Sequence, residues 1–309
     1  MADIPSSEGF IEFRVGDESF KTWYEIRGDI SSKNRKHRPL IGVHGGPGAS
    51  HHYINPILDL ATSHNIPVIL YDQIGIGNST HLPDKPKEFW KPELFIDELE
   101  NLINHFGIQD DFDLYGHSWG AMMSSQFVST RQPKGLKRLV LSNPIAAMDL
   151  WEEATTKLLS ELPQDVQDTI KRHEQAGTTD SKEYQDAVQV FNGRHSCRVD
   201  PIPDGVRKTG GDIFRDRTVW NAMNGPAEFE ILGSIKHWSI IDQLHKIEVP
   251  TLLLNGHFDQ AQDICVMPFF QKLRKVKWVH FALSSHMPQW EERDKYLQAI
   301  GEFLTVPEL

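Results

Sequence analysis

Cysteine is almost missing from this chain: Cys197 and Cys265 are the 2 thiols among 309 residues. A disulfide framework needs more of them, and neither has a second Cys or a His at metal-ligand spacing, so a stapled mini-domain and a zinc module are excluded. A single Cys197–Cys265 pair stays open. Long apolar runs are missing too. No stretch approaches the roughly 20 residues that a membrane helix requires, and the opening MADIPSSEGFIEFRV has no basic segment leading into an apolar core and a small-residue cleavage site. These absences predict a soluble, cytoplasmic protein.

Positive charge is the third shortage. With 32 Lys and Arg against 43 Asp and Glu, the net charge of -11 repels phosphate backbones and anionic lipid, and no basic stripe with interleaved aromatics offsets it. Neither nucleic acid nor a membrane is an expected partner. Low-complexity tracts, internal repeats and like-charge runs are also missing, which argues against disorder beyond the ends.

What remains is an ordinary globular composition, 39% hydrophobic and 24% charged, at a length that suits one large core with an inserted piece. Strand-like runs occur at Phe10 to Val15, Phe20 to Ile26, Leu40 to His44, Val68 to Tyr71, Phe112 to Tyr115, Arg138 to Ser142, Thr251 to Asn255 and Trp278 to Leu283. Several are continuously apolar, as strands buried on both faces must be. Helical spacing appears at Leu94 to Phe106, Ala121 to Thr130, Ile264 to Leu273 and Tyr296 to Leu304. The alternation predicts a mostly parallel sheet with helices on both faces.

That rhythm breaks between about Ile145 and Ser234, where the sequence turns helical and polar and then loop-rich through RVDPIPDGVRKTGGD. The break predicts a core over residues 1–144, an inserted, mainly helical cap over 145–235, and a returning core over 236–309.

Gly116-His117-Ser118-Trp119-Gly120 lies between the strand FDLY and the small-residue helix AMMSSQF. A GxSxG turn in that context is a nucleophile elbow: small flanking residues let a serine occupy strained backbone where strand and helix nearly touch. The serine needs a base, and the base an orienting carboxylate. Asp259 follows the strand TLLLNG and His286 follows WVHFALSS, both at carboxyl ends of strands, where open α/β sheets place their sites. His257, His280, Asp242 and Asp263 compete, but His280 lies within a strand, Asp242 in a helix before one, and Asp263 on the helix that follows.

His44-Gly45-Gly46-Pro47-Gly48 follows the strand LIGV, where a glycine-rich turn can aim backbone N–H groups at an oxygen gaining charge. Pro47 has none to give, so Gly46 is the candidate donor, together with the N–H of Trp119 after the nucleophile. Asp72-Gln73-Ile74-Gly75-Ile76-Gly77-Asn78-Ser79 lacks the Lys-Ser/Thr ending of a phosphate loop and reads as a turn supporting the oxyanion loop.

Taken together, HGGPG, DQxGxGxS, GHSWG, NGHFD and SSHMP resemble the proline iminopeptidase family of α/β-hydrolases, with its amino-acid amidase relatives. The resemblance continues through YQDAVQVFNGRHSCRVDPIP and MNGPAEFEILGSIKHWSI, and so covers about Leu40 to Trp290. It implies an α/β-hydrolase fold and removal of an N-terminal residue, or hydrolysis of an amino-acid amide, without metal or organic cofactor. Ser118 would attack, His286 would serve as base then acid, Asp259 would hold His286, and Gly46 with Trp119 would bind the oxyanion.

In that family two acidic residues hold the substrate amine, one in GPxEF and one directly after the triad aspartate. Glu228 fits the first. The second position is Gln260, which can accept a hydrogen bond but adds no charge. The residue pattern alone also allows Glu228 to begin a helix, where a carboxylate complements the dipole. Trp151, Trp220 and Trp238 could line an apolar pocket or serve packing. Because Gln260 weakens the amine signature, hydrolysis or acyl transfer on an ester, lactone or amide of a specialised small molecule is a second expectation. A non-catalytic binding protein is a third, disfavoured by an intact Ser118, Asp259 and His286.

Overall fold

A computed structural model describes residues 4–31 and 35–307. Residues 1–3, 32–34 and 308–309, which include the ends of the two expected core spans, lie outside the described residues. Among those described, eight strands form one sheet: Ser6–Val15 (β1), Glu18–Arg27 (β2), Leu40–Val43 (β3), Val68–Tyr71 (β4), Phe112–His117 (β5), Leu136–Ser142 (β6), Thr251–Gly256 (β7) and Val276–Phe281 (β8). Their order is β1-β2-β4-β3-β5-β6-β7-β8. β2 pairs antiparallel with β1 and β4, and every pairing from β4 to β8 is parallel.

Alternation along the strands feeds two separate cores. Ile41, Val43, Ile69, Tyr71, Leu114, Leu139, Leu141 and Leu253 point to one face. Leu40, Val68, Leu70, Tyr115, Val140, Leu252 and Leu254 point to the other. Side chains on a strand alternate faces, so only apolar residues at both parities can bury a sheet on both sides.

The core helices are Leu60–Ser63 (α1), Pro92–His105 (α2) and Trp119–Arg131 (α3), followed after the insert by further helices named below. Between β6 and β7 run Met148–Ser160 (α4), Gln164–Ala176 (α5), Lys182–His195 (α6), Asp204–Arg215 (α7) and Thr218–Met223 (α8). Part of this insert has its own apolar cluster, built from Leu158, Leu162, Ile170, Tyr184, Val188, Phe191 and Phe229. The core resumes with Asp263–Lys272 (α9), Pro288–Glu291 (α10) and Arg293–Thr305 (α11). No helix among the described residues is long and apolar enough to cross a membrane.

Three local expectations need correction. The segment DGVRKTGGD is helical rather than loop: α7 packs on the 3-10 segment His51–Asp59, and a Cβ on Gly205 would come within 2.4 Å of the His52 carbonyl. Close packing therefore outweighs the poor helix propensity of glycine there. The last strand leaves the sheet at Phe281 instead of Leu283, because the Glu292 carboxylate takes the Leu283 N–H and the Ser284 hydroxyl. Glu228 does not start a helix: α8 ends at Met223, and residues 225–230 form a bent loop. Tyr184 Oη accepts the Glu228 N–H and Glu174 accepts that of Phe229, which gives this loop its partners outside a helix. Cys197 and Cys265 are both free and buried, so no pair forms.

Candidate active site

Ser118 stands between β5 and α3 with φ 56 and ψ -122. This backbone is sparsely populated for any residue but glycine, at a cost of about 1–3 kcal/mol that the surroundings must supply. The close packing is visible at Gly120, where an added Cβ would lie 2.2 Å from the Val43 carbonyl. The turn leaves the serine half-buried at the wall of a cavity.

Asp259 and His286 approach from the ends of β7 and β8. His286 Nδ1 lies 2.7 Å from Asp259 Oδ1, and the same oxygen accepts the Ala261 N–H at 2.8 Å. The other carboxylate oxygen accepts Asn143 Nδ2 at 2.6 Å. With Nδ1 committed to Asp259, His286 keeps a lone pair on Nε2. Its loop is held from α10 and the residue after it: Glu291 accepts the Ser285 hydroxyl at 2.6 Å, and Glu292 the Ser284 hydroxyl at 2.8 Å.

Parallel register brings the glycine-rich loop beside the elbow, since Val43 on β3 pairs with Gly116 on β5. Gly45 N–H is already taken by Tyr53 Oη at 2.7 Å, which leaves Gly46 as the next donor. Gly46 has φ +116, and a Cβ there would meet the amides of Gly48 and Ala49 at 2.5 Å. Trp119 opens α3, so its N–H has no acceptor within the helix. Gln73 ties the two sides together: its Nε2 donates to the His44 carbonyl at 2.9 Å and its Oε1 accepts Trp119 Nε1 at 3.0 Å. The DQ turn thus braces the glycine-rich loop against the elbow.

Several contributors were invisible in the sequence. Tyr53 Oη also contacts His117 Nδ1 at 2.9 Å, and His117 Nε2 lies 2.8 Å from the His286 carbonyl. Burial holds His117 well below the usual histidine range, and a positive charge on His286 lowers it further, so His117 is neutral. The His286 carbonyl needs a donor on Nε2, which leaves Nδ1 to accept from Tyr53. His195, the last residue of α6, reaches in from the insert: its carbonyl accepts the N–H groups of Gln260 and His286, each at 3.2 Å.

The competing residues lie elsewhere. His257 and His280 are exposed, and His280 Nε2 sits 3.4 Å from Asp263 Oδ1 on the outer edge of the sheet. Asp242 lies in the 3-10 segment Ile241–Lys246.

Two spaces meet at Ser118. An outer cavity of about 570 Å³ is walled by Tyr53, Val199, Ile202, Val206, Ile213 and Met287, and it includes His286. An inner recess of about 50 Å³ is enclosed by Met122, Ile145, Met148, Trp151, Ile231 and Ile235. Gly46, Ser118, Trp220, Glu228 and Gln260 border both. Glu228 and Gln260 are therefore brought together at the junction, with Trp151 and Trp220 as pocket walls. Trp238 instead packs against the core and donates to Gln126 at 2.6 Å. Burial pushes the Glu228 carboxyl up to about 7, with the Arg217 guanidinium opposing and the Glu174 charge adding.

Such an arrangement can deliver a serine oxygen to a carbonyl, remove its proton through an oriented imidazole, and offer backbone N–H groups to the resulting oxyanion. Sheet order, elbow and chain order of Ser, Asp and His define an α/β-hydrolase, and a family profile described as the alpha/beta hydrolase fold matches residues 38–293. A proline iminopeptidase of Heyndrickxia coagulans is 36% identical over 301 residues, spanning 96% of this chain and 98% of that protein. The crystal structure of proline iminopeptidase from Mycobacterium smegmatis superposes with a TM-score of 0.86 at 36% identity, covering 96% and 97% of the two chains. That of VinJ superposes at 0.91 with 40% identity, covering 97% and 99%. The chain belongs to the proline iminopeptidase family of α/β-hydrolases, a family of serine hydrolases.

Proposed function

We propose that the protein is a cofactor-free serine aminopeptidase or amino-acid amidase that acts on a short peptide or a small molecule bearing a free N-terminal residue. The observation that carries this reading is the 2.7 Å contact from His286 to Asp259 at a wall shared with Ser118. Ser118 attacks the scissile carbonyl as His286 Nε2 takes its proton, and Asp259 stabilises the imidazolium. Gly46 and Trp119 N–H groups receive the oxyanion. The leaving amine departs with the proton from His286, and water then releases the acyl group by the same steps. Glu228 and Gln260 hold the substrate amine, the inner recess takes the small side chain, and the leaving group occupies the outer cavity. A cytoplasmic setting is part of this proposal.

Incubation of the pure protein with prolyl, alanyl and bulkier aminoacyl arylamides tests it. Turnover of the small residues is expected, and no turnover of any of them would overturn the peptidase reading.

The apolar wall of the outer cavity favours a second reading, in which the leaving group is a bulky apolar amine or alcohol rather than a peptide. At about 570 Å³ the space is in the range of sites for drug-sized ligands. Alanyl amides of a large apolar amine and of a dipeptide discriminate: a higher kcat/KM for the dipeptide would contradict it.

A further inference from the structure

Gln260 stands where the family resemblance leads to a carboxylate, and α6 with the residue after it supplies two polar side chains beside it. Asn192 and Ser196 both line the outer cavity with Gln260. Ser196 Oγ lies 2.9 Å from the Asn192 carboxamide oxygen and 3.2 Å from that of Gln260. A hydroxyl carries one proton and cannot donate to both. The two ends of a carboxamide have the same shape, so both contacts become hydrogen bonds only when one of these amides turns its NH2 toward Ser196.

Two proton arrangements satisfy the trio. In the first, Ser196 donates to Asn192 and accepts from Gln260 Nε2, which turns the Gln260 carbonyl away from Ser196. In the second, Asn192 donates to Ser196 and Ser196 donates to Gln260. Hydrogen bonds of the O–H···O kind run to about 3.0 Å and N–H···O bonds to about 3.2 Å. Only the first arrangement keeps both the 2.9 Å and the 3.2 Å contacts within range. The far end of the Gln260 carboxamide has no partner among the described residues, and Gln260 borders the junction shared by Ser118 and Glu228.

We infer that Asn192 and Ser196 orient the Gln260 carboxamide so that its carbonyl faces the junction, making Gln260 a neutral acceptor for the substrate amine beside Glu228. The inference rests on the amine reading above and deepens it. Asn192 and Ser196 are positioning residues: they act through Gln260 and set the polarity that it presents. Were the amide reversed, its NH2 would face an ammonium group and disfavour the substrate.

The test is the ratio of kcat/KM for alanyl p-nitroanilide to that for propionyl p-nitroanilide, which lacks only the amine, so that a general loss of activity cancels. Asn192→Leu removes the acceptor of the Ser196 proton, which then turns to Gln260 and reverses its amide. The ratio is expected to fall about tenfold, the scale of one hydrogen bond gained or lost. Adding Ser196→Ala to Asn192→Leu frees Gln260 to turn back, and most of the ratio should return. A ratio unmoved by Asn192→Leu, or one that falls further in the double variant, overturns the inference while leaving the peptidase reading intact. A parent enzyme with no preference for the amine, or no turnover of either compound, overturns both together.

Discussion

Asn143 Nδ2 lies 2.6 Å from Asp259 Oδ2, and this contact anchors the carboxylate that holds His286. Behind it runs a buried chain of hydroxyls. Ser142 Oγ donates to Asn143 Oδ1 at 2.6 Å, Tyr296 Oη donates to Ser142 at 2.9 Å, and Tyr115 Oη stands 2.7 Å from Tyr296. Because Ser142 needs an acceptor, Asn143 must show its carbonyl to Ser142 and its NH2 to Asp259. Asn143 has φ 53, so Asn143→Gly removes the side chain without adding backbone strain. Asp259 then keeps a buried oxygen without a donor, at a cost of about 1–3 kcal/mol. Thermal melting should fall accordingly, and kcat should drop about 10–100-fold with KM nearly unchanged.

A carboxyl lifted to about 7 makes amine binding depend on pH. Glu228 is protonated below that value and attracts an ammonium only as it ionises, while a substrate α-amine keeps its charge to about pH 7.7. Between pH 5.5 and 7 the preference for alanyl over propionyl p-nitroanilide should rise roughly tenfold. A group that acts on both substrates alike drops out of the ratio. Glu228→Gln should flatten this dependence, and an equal slope in the variant would assign it to another group.

Glu98 leads to a stability prediction away from the site. It is buried beside the DQ turn and accepts the Ile74 N–H at 3.0 Å and the Thr22 hydroxyl. Burial pushes its carboxyl up to about 8, against the pull of those two donors and with the Asp72 charge adding to the rise. The folded state thus holds a proton that the unfolded chain releases near 4.5, so stability falls as pH climbs from about 4.5 to about 8. One such group contributes at most about 1.4 kcal/mol per pH unit. Urea midpoints at pH 5.5 and pH 8 should lie closer together in Glu98→Gln than in the parent.

Ile213 faces the outer cavity from α7, the space that the proposed mechanism gives to the leaving group. Ile213→Ala removes three carbons, worth at most about 2 kcal/mol of apolar contact. KM for an amide of a bulky apolar amine should rise by up to about 30-fold, while KM for alanyl amide, whose leaving group is ammonia, should stay near the parent value.

The inner strands of the sheet were legible because they are buried on both faces and therefore read as short apolar runs, as in LIGV and VILY. Ser118, Asp259 and His286 were legible because each follows a strand-like segment, at or just past its carboxyl end. The insert was less so. Glycines in DGVRKTGGD pointed to a loop, but close approach to the His52 carbonyl makes Gly205 an asset in a helix. Glu228 could also be read as a helix start, an alternative that ends where Tyr184 and Glu174, 44 and 55 residues away from the amides they accept, set the loop. Asn143, Tyr53 and His195 carry no local signature at all. Asn143 meets Asp259 across 116 residues because β6 and β7 run side by side in parallel register, a relation that only the assembled sheet expresses.

The central claim is that Ser118 is a nucleophile activated by His286 and Asp259. Treatment of the pure protein with a fluorophosphonate, followed by mass mapping of the adduct, tests it most directly. The account expects one adduct per chain on Ser118, none in Ser118→Ala, and labelling slowed by at least about 10³-fold in His286→Ala. An unreactive Ser118 in folded, active protein, or inactivation that tracks an adduct on another residue, would contradict it.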